Sequence, residues 1–106
     1  MSLNEAYLIL VPNVDPNVDR STIIKDNYKC ITILINNADQ ALDVAKELVE
    51  SENIHAFILC PGFSNSSVGV ISNALGENIS VNVARGDGKS TNIVDKIIES
   101  VWKKNN

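Results

Sequence analysis

The feature that most constrains the fold is a series of short apolar runs, each closed by turn-forming residues. Ala6 to Val11 form the first run, which Pro12 ends, and Ile31 to Ile35 form the second, which two asparagines end. Ile54 to Leu59 and Ile79 to Ala84 form the third and the fourth. Continuous apolar runs of this length are typical of strands that are buried on both faces. The sequence therefore predicts four strands, of which the fourth is the weakest.

Amphipathic patterns with helical spacing lie between and after these strands. The first starts at Asn37, with Gln40 three residues later, as in a capping box. Its apolar stripe is Ala41, Leu42, Ala45, Leu48 and Val49. The second extends from Ser64 to Leu75 and ends at Gly76, a residue that readily takes the left-handed C-cap conformation. The third extends from about residue 90 to residue 104, and its apolar face is wide enough to contact more than one neighbour.

Strands that alternate with helices predict a parallel sheet that is covered on both sides. We therefore expect one three-layer α/β domain over residues 1–106, with a four-stranded, mainly parallel sheet and helices on both faces. The strand order 2-1-3-4 is favoured because it puts the two most apolar runs, the first and the third, at the centre. Residues 15–26 carry the weakest pattern, since Asp15-Pro16 resembles a helix start but only faint helical periodicity follows.

Length, composition and charge exclude several classes of function. A chain of 106 residues with 44% hydrophobic and 21% charged residues has the composition of one globular domain. A net charge of -4 gives no broad attraction for nucleic acid or for an anionic membrane surface. No stretch approaches the roughly 18 apolar residues of a membrane span. We therefore expect a cytoplasmic protein that binds neither nucleic acid nor membranes.

The chain has few residues that bind metals. It contains two cysteines, Cys30 and Cys60, and one histidine, His55. A structural zinc site needs about four ligands, which these three residues do not supply. No metal and no cofactor is therefore predicted, and both cysteines are expected to be reduced.

The loop after the third strand is the most informative segment. In an open α/β sheet, ligands bind beyond the carboxyl ends of the strands, at the point where the strand order reverses. Residues 60–67 combine a thiol, a glycine turn and a hydroxyl-rich helix start, where free backbone N–H groups favour an anion and a reactive thiol. Cys60 is therefore the one candidate for a catalytic group. The predicted ligand-binding residues are Asn13, Cys60, Gly62, Phe63, Ser64 and Arg85.

A purely structural interpretation of the same loop stays open. Gly62 then supplies a turn, Ser64 caps a helix, and Cys60 is a small buried apolar residue. Phe63 would pack over the helix start rather than support a ligand. The structural interpretation is favoured, because free cysteines are more often simply buried.

Three familiar phosphate-linked motifs are excluded. Residues 88–91 (GKST) resemble a P-loop, but the pattern requires glycine five residues before the Gly-Lys pair, and Val83 occupies that position. A tyrosine-phosphatase loop requires arginine six residues after its cysteine, and this chain has Ser66 there. A receiver domain requires an acidic pair after the first strand, where Pro12-Asn13 stands instead.

Three segments carry a resemblance to a known family. They are AYLILVP followed by VDP, the helical segment DQALDVAKELVE, and the strand end LCPGF. Together they resemble a small bacterial family of unknown function, with a C-x-G-F loop after the third strand. The resemblance spans most of the chain and implies no activity and no catalytic residue. Pro61 departs from the glycine expected near that point and removes one N–H donor from the loop.

Two hypotheses for the function follow. In the first, the domain binds a small anionic metabolite at the carboxyl ends of the strands near Cys60. In the second, it is a non-catalytic interaction module that forms homo-oligomers, most simply a homodimer. A sheet edge or the terminal helix that carries Trp102 would provide the contact. No particular reaction is predicted.

Overall fold

The computed structural model describes residues 1–103, which form a five-stranded mixed sheet and three helices. The strands are β1 (Leu3–Leu10), β2 (Arg20–Lys25), β3 (Tyr28–Ile35), β4 (Ala56–Leu59) and β5 (Ser80–Val83). Their order in the sheet is β2-β3-β1-β4-β5. Strand β2 pairs antiparallel with β3, and all other neighbours are parallel. The four predicted strands are β1, β3, β4 and β5, and they have the predicted order 2-1-3-4.

The prediction of only four strands is wrong because residues 15–26 hold a fifth strand instead of a helix start. The Asp15 carboxylate accepts a hydrogen bond from the Asn17 amide at 2.9 Å, and the Asp15 carbonyl accepts from the Asp19 amide at 2.7 Å. These bonds close a single turn, after which the chain enters β2. Thr22, Ile23 and Ile24 favour an extended backbone. Their exposure at the sheet edge explains why no apolar periodicity marks this strand.

The helices are α1 (Ala38–Ser51), α2 (Asn65–Leu75) and α3 (Thr91–Ile98), and α3 continues as a π-helical turn over Glu99–Lys103. Asn37 caps α1 as predicted, since its side chain accepts from the Gln40 amide at 2.8 Å. The Gln40 side chain accepts a hydrogen bond from the Asn36 amide, whereas a capping box would use the amide of Asn37. Gly76 ends α2 at a φ of +85°. Lys104, where the last helix was predicted to end, lies outside the described residues.

The helices do not cover both faces of the sheet. The crossovers from β3 to β4 and from β4 to β5 run in the same direction, so connections of the same hand put α1 and α2 on one face. The core fills the space between this face and the two helices. Its fully buried residues include Ala6, Leu8, Ile31, Ile33, Leu48, Phe57, Leu59 and Ile71. Helix α3 contributes no buried residue. The predicted three-layer arrangement is therefore wrong.

The opposite face of the sheet, here called the outer face, carries Tyr7 and Ile9 of β1, Thr32 and Leu34 of β3, and Ile58 of β4. These side chains are half-buried, whereas their neighbours on the core face are fully buried. Within residues 1–103, α1 and α2 lie on the other side of the sheet, and α3 makes no extensive contact with any strand. The outer face is less buried than the core face because both crossover helices lie on the core side of the sheet.

Candidate functional site

The main cavity lies at the carboxyl edge of the sheet, between the strand ends and α3. It has a volume of about 940 Å³ and is here called the rim cleft. Its floor consists of residues 9–12 at the end of β1, residues 36–38 after β3, the Cys60–Gly62 turn after β4, and residues 85–86 after β5. One face of the last helix forms the opposite wall. That wall consists of Thr91, Val94, Asp95, Ile98, Glu99 and Trp102.

The turn after β4 divides its residues between the cleft and the core. The Cys60 amide donates to the Leu8 carbonyl at 3.1 Å and so extends the β-ladder by one bond. The Phe63 amide donates to the Cys60 carbonyl at 3.2 Å, which closes the turn. This closure directs Cys60 and Gly62 towards the cleft. Phe63 is 6% exposed and packs in the core.

The Cys60 thiol is fixed against the neighbouring strand. The Leu10 amide donates a hydrogen bond to Cys60 Sγ at 3.3 Å. Cys60 is only 8% exposed, so one side of the sulfur contacts the cleft while the rest packs in the core. A second close approach is that of Gly86 to Pro61, because a Cβ added to Gly86 would lie 2.5 Å from Pro61 Cβ. The loops after β4 and β5 therefore meet with no room for a side chain.

Arg85 is the cationic group of the cleft. Its Nε and Nη2 atoms donate to the two carboxylate oxygens of Asp87, at 3.0 and 3.1 Å. The guanidinium holds the pKa of Asp87 below its usual range. The side chains of Arg85 and Asp87 are 85% and 68% exposed, and an exposed pair of this kind contributes little to stability. The guanidinium is therefore free to exchange Asp87 for another anion without a large loss of free energy.

Asn36 orders the wall of the cleft next to β3. Its side-chain oxygen accepts from the Val14 amide at 2.9 Å, and its Nδ2 donates to the Val14 carbonyl at 2.6 Å. Its own amide and its Nδ2 also donate to the Gln40 side chain. These bonds attach the loop after β1 to the start of α1. In the sequence, Asn36 ends a buried strand, and the polar pair there, followed by Gln40, is the signal that points to this ordering role.

The structure brings together three of the six predicted ligand-binding residues. Cys60, Gly62 and Arg85 line the rim cleft. Asn13 is exposed at a φ of +60° and lies outside the lining, although its neighbour Pro12 belongs to it. Phe63 packs in the core, and Ser64 caps α2 by accepting from the Ser67 amide at 3.1 Å.

The last helix forms a wall of the cleft that was not predicted from the sequence. Val94, Ile98 and Trp102 line the cleft. Their spacing marks one apolar helix face, but apolar spacing alone does not distinguish a cavity wall from a core contact. The charges are distributed unevenly, with Arg85 at the strand side and Asp95 and Glu99 on the helix side.

A second, smaller depression lies at the amino edge of the sheet and has a volume of about 530 Å³. His55 borders it, at the opposite edge from Cys60. His55 Nδ1 accepts a hydrogen bond from the Asn4 amide at 3.0 Å. Tyr28 also borders it, and its hydroxyl donates to the Glu5 carboxylate at 2.8 Å. Because His55 and Tyr28 are occupied in these bonds and the first three residues form much of the lining, this depression is explained by the packing of the chain start.

The part of the chain that the structure describes contains no group of three or more His, Cys, Asp or Glu side chains close enough to hold a metal ion. None of the helices within residues 1–103 is long and apolar enough to cross a membrane. The rim cleft is therefore described by its apolar walls, one thiol and its unevenly distributed charges.

Comparison with known proteins identifies the family of the chain. Residues 3–99 match the model of a family of unknown function (DUF6506), and the chain belongs to that family. No curated protein and no solved structure matches the chain significantly.

Proposed function

We propose that this member of the DUF6506 family binds a small organic anion in the rim cleft, with the apolar body of the ligand between the sheet and α3. The observation that carries the proposal is the position of the cleft. It opens beyond the carboxyl ends of parallel strands, where α/β sheets bind their ligands. Its volume of about 940 Å³ is in the range of sites for small molecules.

The apolar walls favour a ligand with a hydrophobic body. Ile9 contributes from the sheet side, and Val94 and Trp102 contribute from the helix side. Val94 and Trp102 are 55% and 41% exposed, so a ligand between them and the sheet would remove apolar surface from water. The indole ring of Trp102 also offers a flat surface for an aromatic or aliphatic group.

The charge distribution favours an anionic group at the strand side. Arg85 supplies a guanidinium whose present partner, Asp87, is exposed and exchangeable. Asp95 and Glu99 repel an anion from the helix side, so they orient the ligand with its charge towards Arg85. Cys60 contributes a polarisable lining atom near the same end.

A thermal-shift screen tests this proposal. The probes are benzoate, hexanoate and phenylacetate, each compared with its neutral amide. A ligand at about 100 times its Kd adds about 2.7 kcal/mol to the free energy of unfolding, so at least one acid should raise Tm clearly. The neutral amides should raise Tm less, because they cannot pair with Arg85.

Arg85→Ala should abolish the difference between acid and amide. Lys89→Ala is the matched control, because Lys89 is an exposed cation four residues away that does not line the cleft. The proposal is wrong if none of the three acids raises Tm, or if Arg85→Ala and Lys89→Ala respond alike.

A second candidate function, self-association, is favoured by one observation on α3. Ile93, Ile97 and Val101, here called the outward stripe, are 59%, 56% and 58% exposed. They lie roughly a third of a turn round the helix from the residues that line the cleft, so a ligand in the cleft does not cover them. Contiguous exposed apolar surface of this kind marks contact sites between proteins. We expect a homodimer, and sedimentation equilibrium at high micromolar concentration tests it, since a strict monomer would contradict it.

A further inference from the structure

We infer that a second copy of this chain covers the outer face of the sheet, and that it does so with the outward stripe of its α3. The two copies exchange this contact reciprocally about a two-fold axis. The inference rests on the self-association proposed above and adds the two surfaces that meet. It shares Ile9 with the wall of the rim cleft and otherwise uses surfaces that do not line the cleft.

The bare outer face is a direct consequence of the chain topology. Both helical crossovers move from the β3 side of the sheet towards β5, which puts α1 and α2 on the same face. The connection in the opposite direction, from β1 to β3, contains strand β2 instead of a helix. Among the described residues, no crossover helix therefore covers the outer face.

Most side chains of the outer face are nevertheless apolar, as on a sheet face that is covered by another element. Tyr7, Ile9, Leu34 and Ile58 occupy adjacent rows on the three central strands, with Thr32 between them. Parallel sheets with apolar side chains on both faces normally have both faces covered. In the part of the chain that the structure describes, these side chains are half-buried, whereas those of the core face are fully buried. A flat apolar surface of this kind fits one amphipathic helix.

The outward stripe has the complementary shape and is equally uncovered. Ile93 and Ile97 are one helical turn apart, and Val101 follows at the next turn. The described helix spans residues 91–103 and is about 20 Å long, so it fits within the length of an eight-residue strand, which is about 26 Å. A helix and a sheet face that both lack a partner therefore match in size and polarity.

The position of α3 indicates that the outer face is covered by the α3 of a second copy and not by the α3 of the same chain. Helix α3 already uses Thr91, Asp95 and Ile98 at the carboxyl edge, where they line the rim cleft. The radius of gyration is 14.4 Å, whereas a compact chain of this length has about 13 Å, in keeping with a helix that extends from the body. A partner's outer face can accept the stripe while α3 stays at the rim.

A reciprocal contact of this kind would have the area of a stable dimer interface. The outward stripe and its flanking residues would bury on the order of 400–500 Å² of helix surface. The outer face that receives them would bury about the same area. Each copy both gives and receives a helix, so roughly 800–1,000 Å² is buried per copy, which is the usual size of a stable interface. One-way docking of a single helix would bury only half of this.

Two charge substitutions test the two surfaces separately. Ile97→Glu places a charge in the stripe, and Thr32→Arg places one on the outer face. Each has a matched control on a surface outside the contact. Val70→Glu lies on α2 at the same 56% exposure as Ile97, and Thr22→Arg lies on the helix-side face of the sheet. Sedimentation equilibrium should show at least a tenfold weaker dimer for Ile97→Glu and Thr32→Arg, and no change for the controls.

Mixing the two weakened variants gives the decisive result. In a heterodimer of Ile97→Glu with Thr32→Arg, one helix-to-face contact is wild type, and the other pairs the new glutamate with the new arginine. The mixture should therefore associate at least tenfold more tightly than either variant alone. Circular dichroism of each variant confirms that it is folded. Because Ile97 is exposed, its variant remains informative even if Thr32→Arg is destabilised.

The outcomes separate the two proposals. A wild-type protein that is monomeric at high micromolar concentration overturns self-association and this inference together. A wild-type dimer that Thr32→Arg leaves intact, or variants that do not complement each other, overturns only the assigned surfaces. The second pattern would point to helix–helix pairing of α3 or to a contact along β2.

Discussion

The Leu10 amide donates a hydrogen bond to the sulfur of Cys60 at 3.3 Å, and this bond joins the carboxyl ends of β1 and β4 beneath the rim cleft. It fixes the thiol that the sequence singled out, but in a position that is 8% exposed. Cys30 is half-buried and lies on the outer face of the sheet. Cys30 is therefore the more accessible of the two thiols, although the sequence favoured Cys60 as the more reactive one.

We predict that Cys30 is alkylated faster than Cys60 in the native protein. The reason is steric access, because a reagent reaches Cys60 only through the small part of its surface that contacts the cleft. Single-cysteine variants, Cys30→Ser and Cys60→Ser, give the two rates with iodoacetamide at neutral pH, and mass spectrometry measures them. An equal or faster rate at Cys60 would restore the sequence-based expectation of a reactive thiol.

Asn36→Ala should lower the free energy of unfolding by about 1–3 kcal/mol, because it leaves the Val14 amide and carbonyl without their partner. Chemical denaturation measures the effect. Asn82→Ala is the control, since its side chain is exposed and donates only to the nearby Ser80 hydroxyl. It should change stability by less than about 0.5 kcal/mol. Equal effects of the two variants would show that Asn36 does not order the cleft wall.

Gly86→Ala should weaken ligand binding in the rim cleft without unfolding the protein. A Cβ at residue 86 would meet the Pro61 ring, so the loops after β4 and β5 must move apart. Gly88→Ala is the matched control, because the space round Gly88 is open. Titration of both variants with the acid that raises Tm most measures the effect. Unchanged affinity in Gly86→Ala would exclude these two loops from the binding site.

Tyr28 should ionise only in strong alkali. The hydrogen bond to Glu5, assisted by burial and by the nearby Cys30, raises the pKa of Tyr28 above its ordinary value of 10.0. The neutral phenol is therefore favoured in the folded state. The stabilisation from this group is complete below pH 10 and is lost as the pH rises through the folded-state pKa.

The chain has two tyrosines, so Tyr7→Phe leaves Tyr28 as the only one to titrate. Its absorbance at 295 nm should show a midpoint above pH 10, and Glu5→Gln should lower that midpoint because a neutral amide replaces the carboxylate that accepts the hydrogen bond of the Tyr28 hydroxyl. Circular dichroism over the same pH range confirms that the protein stays folded. A midpoint that Glu5→Gln leaves unchanged would contradict this assignment.

The central part of the fold could be predicted from the sequence because its strands are buried. Apolar runs such as Ile31 to Ile35 are typical of buried strands. Placing the two most apolar runs at the centre of the sheet predicted the order of the parallel strands correctly. The cap at Asn37 and the end at Gly76 follow from local chemistry and were predicted correctly.

The features that were missed depend on contacts between distant segments. Strand β2 is exposed, so only its pairing with β3 reveals it. The bare outer face follows from the direction of the two crossovers, which apolar periodicity does not encode. The apolar pattern of α3 predicted a helix with several neighbours, whereas in the structure its residues are exposed or face a cavity. Phe63 and Gly62 are adjacent, yet only the turn geometry decides which one lines the cleft.

Protein-detected NMR shows whether the rim cleft binds a small organic anion. ¹⁵N-labelled protein is titrated with phenylacetate and, in parallel, with phenylacetamide. We expect saturable shifts with phenylacetate at the indole N–H of Trp102 and at the backbone amides of Cys60, Gly62, Arg85 and Gly86. The shifts with phenylacetamide should be weaker. Amides at the opposite edge, such as those of Asn4 and His55, should not shift. Non-saturable shifts, or the largest shifts at that opposite edge, would contradict the claim.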